Sequence, residues 1–284
     1  MTASLADLIE AAIGARPKHV EPLSGGSVAQ LWRVAMPDGT TLVAKTADGN
    51  GTLATEGWML AYLATHSALP VPIPVHADDR LLVMTHVGGG GAIDDDAERH
   101  AAELLAALHA IEAPSFGLER DTPIGGLNQP NAPLPRWIDF FRDRRLLPMA
   151  RAALDEKRLP GALMDRIERL AARLPSWIGN DARPGLIHGD MWTGNVLAKR
   201  GRIAGFVDPA IYYADPEIEL AFGTLFGTFG RAFFDRYGAI RPIRPGFFDA
   251  RRDLYNLYPL LVHVRLFGGA YVDGVAGILD RLGA

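Results

Sequence analysis

Four consecutive glycines at residues 88–91 divide the sequence into two stretches of different character. Glycine loses more conformational freedom on ordering than any other residue, so neither a helix nor a strand is expected to run through four of them. Ahead of the run, apolar residues come in short groups. Residues 31–36 and 41–45 flank the turn Pro37-Asp38-Gly39-Thr40 and read as a β-hairpin ending on Lys45, and residues 80–87 form a further apolar strand. Two helices accompany them: residues 5–13, with Leu5, Leu8, Ile9, Ala12 and Ile13 at helical spacing behind Ser4 as N-cap, and residues 55–65, with Glu56 on the first turn. Behind the run, residues 94–111, 137–154 and 163–174 are longer, charged and helical in period. Segregation of strands from helices predicts an α+β architecture of two unequal lobes. The boundaries fall at residues 1–84 for a small β-rich lobe, 85–91 for a hinge and 92–284 for a larger, mostly helical lobe.

Composition narrows the function classes. A net charge of −4 over 284 residues leaves no basic domain to neutralise phosphates, which argues against nucleic acid as the partner. The absence of cysteine excludes a disulfide scaffold, a thiol nucleophile and zinc–cysteine sites. The longest stretch without a charged residue, 57–77, contains His66, His76 and the prolines Pro70, Pro72 and Pro74, so no membrane span is expected. Asp7 and Glu10 do not suit a secretory leader, and cytoplasm is the expected compartment.

The loop after Leu186 and Ile187 reads His188-Gly189-Asp190-Met191-Trp192-Thr193-Gly194-Asn195. Kinases use His-x-Asp-x-x-x-x-Asn because the aspartate must accept a proton from the attacking hydroxyl while the asparagine, one loop away, holds magnesium on the nucleotide phosphates. Asp190 fits the base and Asn195 the metal ligand. Residues 196–199 and 202–207 flank Arg200-Gly201, a hairpin signal that returns the chain to Asp208, where a second metal-binding carboxylate is needed. Either aspartate alone reads as an ordinary turn residue. The pair, with a strand before it and a hairpin between, points to phosphoryl transfer with ATP and magnesium as cofactors. In the small lobe, Lys45 at a strand end and Glu56 on the next helix can meet as a phosphate-positioning lysine and its carboxylate anchor. Gly25, Gly26 and Ser27 take the place of a phosphate loop by position alone, since neither Gly-x-x-x-x-Gly-Lys-Ser/Thr nor a full Gly-x-Gly-x-x-Gly is present. Thr85, His86 and Val87 take the place of the hinge whose backbone reads the adenine edge.

These residues resemble the fructosamine kinase (ketosamine 3-kinase) family, a branch of the aminoglycoside phosphotransferase-like kinases. The resemblance covers nearly the whole chain and is carried by residues 188–195, by Val207-Asp208-Pro209-Ala210-Ile211-Tyr212-Tyr213 and by Asp215-Pro216-Glu217-Ile218-Glu219-Leu220-Ala221. Leu105-Ala106-Ala107-Leu108-His109, Trp137-Ile138-Asp139-Phe140-Phe141, Arg144-Arg145-Leu146 and Leu257-Tyr258-Pro259-Leu260-Leu261 add to it. Trp192 and Asp208-Pro209-Ala210-x-Tyr212-Tyr213 single out this branch. The resemblance implies a protein-kinase-like bilobal fold and ATP- and magnesium-dependent phosphorylation of a ketosamine sugar, often at the 3-hydroxyl, which destabilises the amine–sugar adduct and repairs glycated amines or proteins. The chain departs from the family at Ala214-Asp215-Pro216-Glu217-Ile218-Glu219, where relatives commonly have Gly-Asp-Arg-Glu-x-Asp. It also lacks the redox-sensitive cysteine that some relatives place in the nucleotide loop.

The acceptor side is read from fewer signals. Only six residues separate Asp208 from Asp215, so the long segment on which protein kinases lay a peptide is missing, and a small sugar-amine is the expected substrate, with glycated peptide or protein as an extension of it. Asp208, Asp215, Glu217 and Glu219 lie close together without a Lys or Arg among them, which suggests a negative surface for an amine, or else helix-capping acids. Trp192 offers a flat face for a sugar ring or an anchor under the loop. Arg265 on the last helical stretch completes the substrate candidates, whereas His109, Trp137, Phe140 and Phe141 read as packed residues. Two alternatives remain open at this point: the same apparatus acting on an aminoglycoside, choline or another amino alcohol, and a catalytically silent nucleotide-binding regulator. Neither the oligomeric state nor the phosphorylated position follows from the sequence.

Overall fold

The computed structural model describes residues 4–23, 29–47 and 52–284. Ser4 caps α1 (Leu5–Ile13) through a reciprocal capping box with Asp7, and Gly14 at φ +73° ends it. Five antiparallel strands follow: β1 (His19–Leu23), β2 (Gln30–Ala35) and β3 (Thr41–Thr46), then, after α2 (Thr52–His66), β4 (Pro74–Ala77) and β5 (Leu81–Thr85), in the sheet order β1-β2-β3-β5-β4. The sequence pattern does not show β1, because Pro22 interrupts it. On a sheet edge the missing N–H costs no ladder bond, and Pro22 lies opposite Trp32. The helix expected to start at residue 55 starts at Thr52, so Glu56 lies beyond its first turn.

Strand alternation decides what faces the cleft. Leu42 and Ala44 of β3 join Val34, Leu81 and Val83 in a small core closed by Ile9 of α1. Val43, Leu82 and Met84 face the other way, onto Leu53, Met59 and Leu60 of α2. Lys45, two residues beyond Val43, shares that second face and is carried toward α2. Gly57 lets α2 lie close against β4, for a Cβ there would sit 2.3 Å from the Ala77 Cβ.

The remainder is mostly helical, completing an α+β, bilobal molecule. Asp94 caps α3 (Asp95–His109). A hairpin of β6 (Thr122–Ile124) and β7 (Leu127–Gln129) turns on Gly125 and Gly126, both at positive φ. Residues 137–154, expected as one helix, form α4 (Trp137–Phe140), a π-helical turn (Phe141–Leu146) and α5 (Leu147–Asp155). Pro148 has no N–H to continue the i to i−4 ladder, which accounts for the irregular turn just before it. After α6 (Gly161–Ala172) come β8 (Gly185–Ile187), the hairpin β9 (Val196–Lys199) and β10 (Arg202–Phe206), and β11 (Tyr212–Ala214), antiparallel to β8. Helices α7 (Glu217–Leu225), α8 (Arg231–Ile240), α9 (Arg252–Phe267) and α10 (Ala270–Arg281) close the fold. One apolar cluster runs from Val43 and Leu82 through Leu105, Phe140 and Leu186 to Leu257. The glycine run holds no strand; Gly91 makes an isolated bridge to Ala198 of β9. No helix among the described residues is long and apolar enough to cross a membrane.

Gly57→Ala tests the close approach of α2. Alanine improves helix propensity by about 1 kcal/mol, but overpacking two Cβ atoms costs about 1–3 kcal/mol. A lower thermal midpoint is expected, and a raised one would show that α2 retreats from β4 without penalty.

Candidate active site

The loop between β8 and β9 is held from both sides. Gly189 lies at φ +89°, and a Cβ on it would stand 2.1 Å from the Ala210 carbonyl oxygen, so only glycine lets the two segments approach this closely. Its N–H donates to Glu219 Oε1 at 2.6 Å. The buried His188 accepts at Nδ1 from the Asp190 N–H (3.4 Å), and its carbonyl accepts from the Ala210 N–H (2.8 Å). Asn195 donates from Nδ2 to the Asp190 carbonyl (2.9 Å) and to Asp190 Oδ2 (2.8 Å). Arg200 and Gly201 both take positive φ, the two-residue hairpin turn that their order in the sequence predicts, and the returning strand delivers Asp208. Asp208 is itself left-handed at φ +54°, an uncommon state for a residue with a side chain and one that clusters at functional sites.

Lys45 joins the lobes. Its Nζ donates to Glu56 Oε1 at 2.6 Å and also to Asp208 Oδ1, while the side chain is almost completely buried. Burial works against the ammonium charge, but the two carboxylates outweigh it and hold the lysine above its ordinary range. Glu56 is pushed up by burial, opposed by Lys45. Asp190 is pushed up to about 7, first by burial and further by Asp208 and Glu219, with the Asn195 hydrogen bond opposing. A carboxyl poised near neutrality suits a group that takes and releases a proton.

The donor set fits magnesium with a nucleotide. Asn195 commits its NH2 group to Asp190, and its amide oxygen takes no hydrogen bond from a described residue. With Asp208 it forms a small all-oxygen set, and among the described residues no group of three or more His, Asp or Glu could hold an ion unaided. Magnesium is typically bound in this way, by one or two protein oxygens with substrate phosphates completing the shell. Thr85 ends β5, and the His86 N–H donates to the Thr41 carbonyl at 3.4 Å. Val87 packs on the β9–β10 hairpin, where a Cβ at Gly205 would lie 2.5 Å from its Cγ1. Gly25, Gly26 and Ser27 lie outside the described residues.

The acceptor-side expectations need correction. Asp215 and Glu217 form no negative surface: both are buried and neutralised. Asp215 accepts from the Tyr255 hydroxyl (2.8 Å) and from Arg244; Glu217 accepts from Arg251 (2.6 Å) and from Arg244 (3.0 Å). Burial disfavours the Glu217 charge, yet the two guanidiniums hold it below the ordinary glutamate range. Glu219 is likewise internal, bonded to His109 Nε2 at 2.8 Å as well as to Gly189. Local sequence could not reveal these roles, because the arginines stand 27–34 residues downstream and His109 stands 110 residues upstream. Arg265 pairs with Glu156 at the end of α5 (2.5 Å) and touches Met149. Trp192 is 41% exposed beside the buried Met191, its ring lying over Gly194, which removes the reading of it as a core anchor.

Comparison with known proteins shows the family and the fold. The family model described as fructosamine kinase matches residues 1–284. A "probable ketoamine kinase" of Synechocystis sp. is 34% identical over 78% of this chain and 75% of its own length. The crystal structure of a "putative fructosamine-3-kinase" from Thermobifida fusca superposes with a TM-score of 0.87 at 31% identity, covering 99% of each chain. An aminoglycoside phosphotransferase in ternary complex with AMP-PNP and hygromycin B is similar in fold, with a TM-score of 0.67 at 16% identity over 99% of this chain and 97% of that one.

Glu219 yields a pH prediction. Burial alone would raise its pKa, but bonds from His109 and Gly189 leave it below the ordinary glutamate value. The unfolded chain therefore takes up this proton first as pH falls. The resulting stability is present above the ordinary glutamate pKa and is lost as pH drops toward the lowered folded value. Glu219→Gln should lose on the order of 1–3 kcal/mol at pH 7 and show a shallower decline in urea-unfolding stability between neutral and acid pH. Parallel acid limbs in the two proteins would refute the assignment.

Proposed function

Because the chain belongs to the fructosamine kinase family, we propose that it transfers the γ-phosphoryl group of ATP to a sugar hydroxyl of a ketosamine, a fructosamine or ribulosamine, as a step of deglycation. The observation that carries this reading is the bridge from Glu56 through Lys45 to Asp208, made within one site with the Asp190–Asn195 pair. Asp190 accepts the proton of the attacking hydroxyl as its oxygen bonds to phosphorus and the bond to the β-phosphate oxygen breaks. Lys45 turns its ammonium to the phosphates, and Glu56 fixes it there. Asn195 Oδ1 and the Asp208 carboxylate would hold magnesium, which supplies charge neutralisation across the phosphates. The backbone of Thr85, His86 and Val87 meets the adenine edge, and Trp192 lies against the sugar ring.

A panel of fructosamine, ribulosamine, aminoglycoside and choline acceptors with labelled ATP tests the reading. Transfer to the ketosamines is expected, and Asp190→Ala should abolish it while leaving ATP affinity nearly intact, since a base touches the acceptor and not the nucleotide. Transfer to aminoglycosides or choline alone would replace the proposed substrate class, and a large loss of ATP binding in the variant would reassign Asp190 to the metal.

Lys45 and Glu56 should act as one unit. Lys45→Ala is expected to cost on the order of a thousandfold in rate, at about 1.4 kcal/mol per tenfold, and Glu56→Ala less. With Glu56 gone, Lys45 is left to Asp208 alone, so that variant should also need more magnesium. The double variant should be little worse than Lys45→Ala; additive losses would show that Glu56 acts elsewhere.

A further inference from the structure

The buried state of Asp215 and Glu217 leaves the acceptor's amine without the acidic surface that the sequence suggested. What lies beside the catalytic loop is aromatic. Phe226, just past the end of α7, packs against His263 of α9 with ring centroids 4.8 Å apart; His263 in turn meets Phe267 at 5.7 Å and Tyr271 of α10 at 4.9 Å. Phe267 is 55% exposed and the other three are half-buried, so the group is an open surface and not a core.

Two connections tie this surface to the site. Thr228, two residues beyond Phe226, shares a hydrogen bond of 3.2 Å with Thr193, the neighbour of Trp192. Leu266, next to Phe267, lies over the β6–β7 turn, where a Cβ at Gly125 would stand 2.7 Å from its Cδ1. Gln129 of β7 reaches the Ala210 carbonyl at 3.2 Å, two residues past Asp208. The chemistry of the surface is specific too. His263 Nδ1 lies 2.7 Å from the Pro259 carbonyl, which can only accept, so Nδ1 carries the proton and Nε2 keeps its lone pair. Three aromatic rings and one imidazole acceptor suit a cation on an apolar stem: ring faces attract an ammonium and cover alkyl carbon, and they offer nothing to a carboxylate.

We infer that Phe226, His263, Phe267 and Tyr271 form the subsite for the amine-linked substituent of the ketosamine, receiving the secondary ammonium and the apolar stem attached to it. The inference rests on the ketosamine reading for its ligand and deepens it: the sugar goes to Trp192 and Asp190, and the substituent goes to the aromatic surface. An extended alkyl or benzyl chain on nitrogen gains contacts there that a methyl group cannot make.

The test compares 1-deoxy-1-(benzylamino)fructose with 1-deoxy-1-(methylamino)fructose, which share sugar and charge. Wild type should favour the benzyl compound about tenfold in kcat/KM, through KM, as expected for added aromatic contacts. Phe267→Ala, at an exposed position, and Phe226→Ala should each erode that ratio toward one, raising the KM of the benzyl compound far more than that of the methyl compound, with the KM for ATP unchanged. Calorimetric binding of both compounds reads the same preference without turnover. If both are phosphorylated with no preference, or if the variants harm both equally, the subsite falls and the ketosamine reaction stands. If neither is phosphorylated but the variants abolish a calorimetric preference for the benzyl compound, the reaction falls and the subsite stands.

Discussion

Lys45 is a buried cation held between carboxylates from different parts of the chain, and the geometry of the cleft depends on that arrangement. An ammonium removed from water is tolerated only when paired, and removing one partner of a buried pair is far more damaging than removing a surface pair. Glu56 arrives on α2 and Asp208 at the end of the β9–β10 hairpin, so the pairing fixes the small lobe against the large one. Two further contacts hold α2 in the same pose: the Tyr62 hydroxyl lies 3.0 Å from that of Tyr213 in β11, and the Arg120 guanidinium sits 4.5 Å above the Trp58 ring. A helix anchored by its charge on one side and its aromatic residues on another has little freedom to swing Glu56 away.

The same rule organises the large lobe beneath the catalytic loop. Trp137 donates to Tyr255 at 2.9 Å, Tyr255 to Asp215, and Arg244 and Arg251 close the ring around Glu217. His109, itself bonded to the Tyr237 hydroxyl, holds Glu219, which accepts from the Gly189 N–H. Glutamate at position 219 has the reach to contact both partners from the helix. The backbone of the catalytic loop thus rests on a buried, hydrogen-bonded carboxylate, and Asp215, Glu217 and Glu219 are all engaged inside the lobe.

What was legible in the sequence was what is local. The Ser4 N-cap of α1, the hairpin ending on Lys45, the Arg200-Gly201 turn and the Asp190–Asn195 spacing all depend on residues close together, and all were readable. The Lys45–Glu56 pair was inferable because a strand and the helix that follows it leave few places for the two side chains to go, although Glu56 lies one turn deeper in α2 than expected. Strand β1 was hidden by Pro22, and the π-helical turn before Pro148 has no periodic signature of its own. Asp215 and Glu217 misled for a different reason. A run of acids without intervening bases looks like a surface, and only the fold brings Arg244 and Arg251 to it from a later segment.

This division of charge bears on how a small site can handle two unlike ends of one substrate. In the proposed reaction the nucleotide end, with its concentrated negative charge, would be met by Lys45 and by oxygen donors suited to a divalent ion, in a setting where Coulombic interactions are strong and geometry is fixed by buried pairs. An acceptor amine is positive, and an exposed carboxylate set beside Asp190 to receive it would raise the cost of ionising that base still further, since Asp208 and Glu219 already push it upward. Aromatic faces attract a cation without adding a formal charge. In the proposed site, the surface of Phe226, His263, Phe267 and Tyr271 can therefore serve the amine while leaving the electrostatics of Asp190 to Asn195, Asp208 and the loop that carries it.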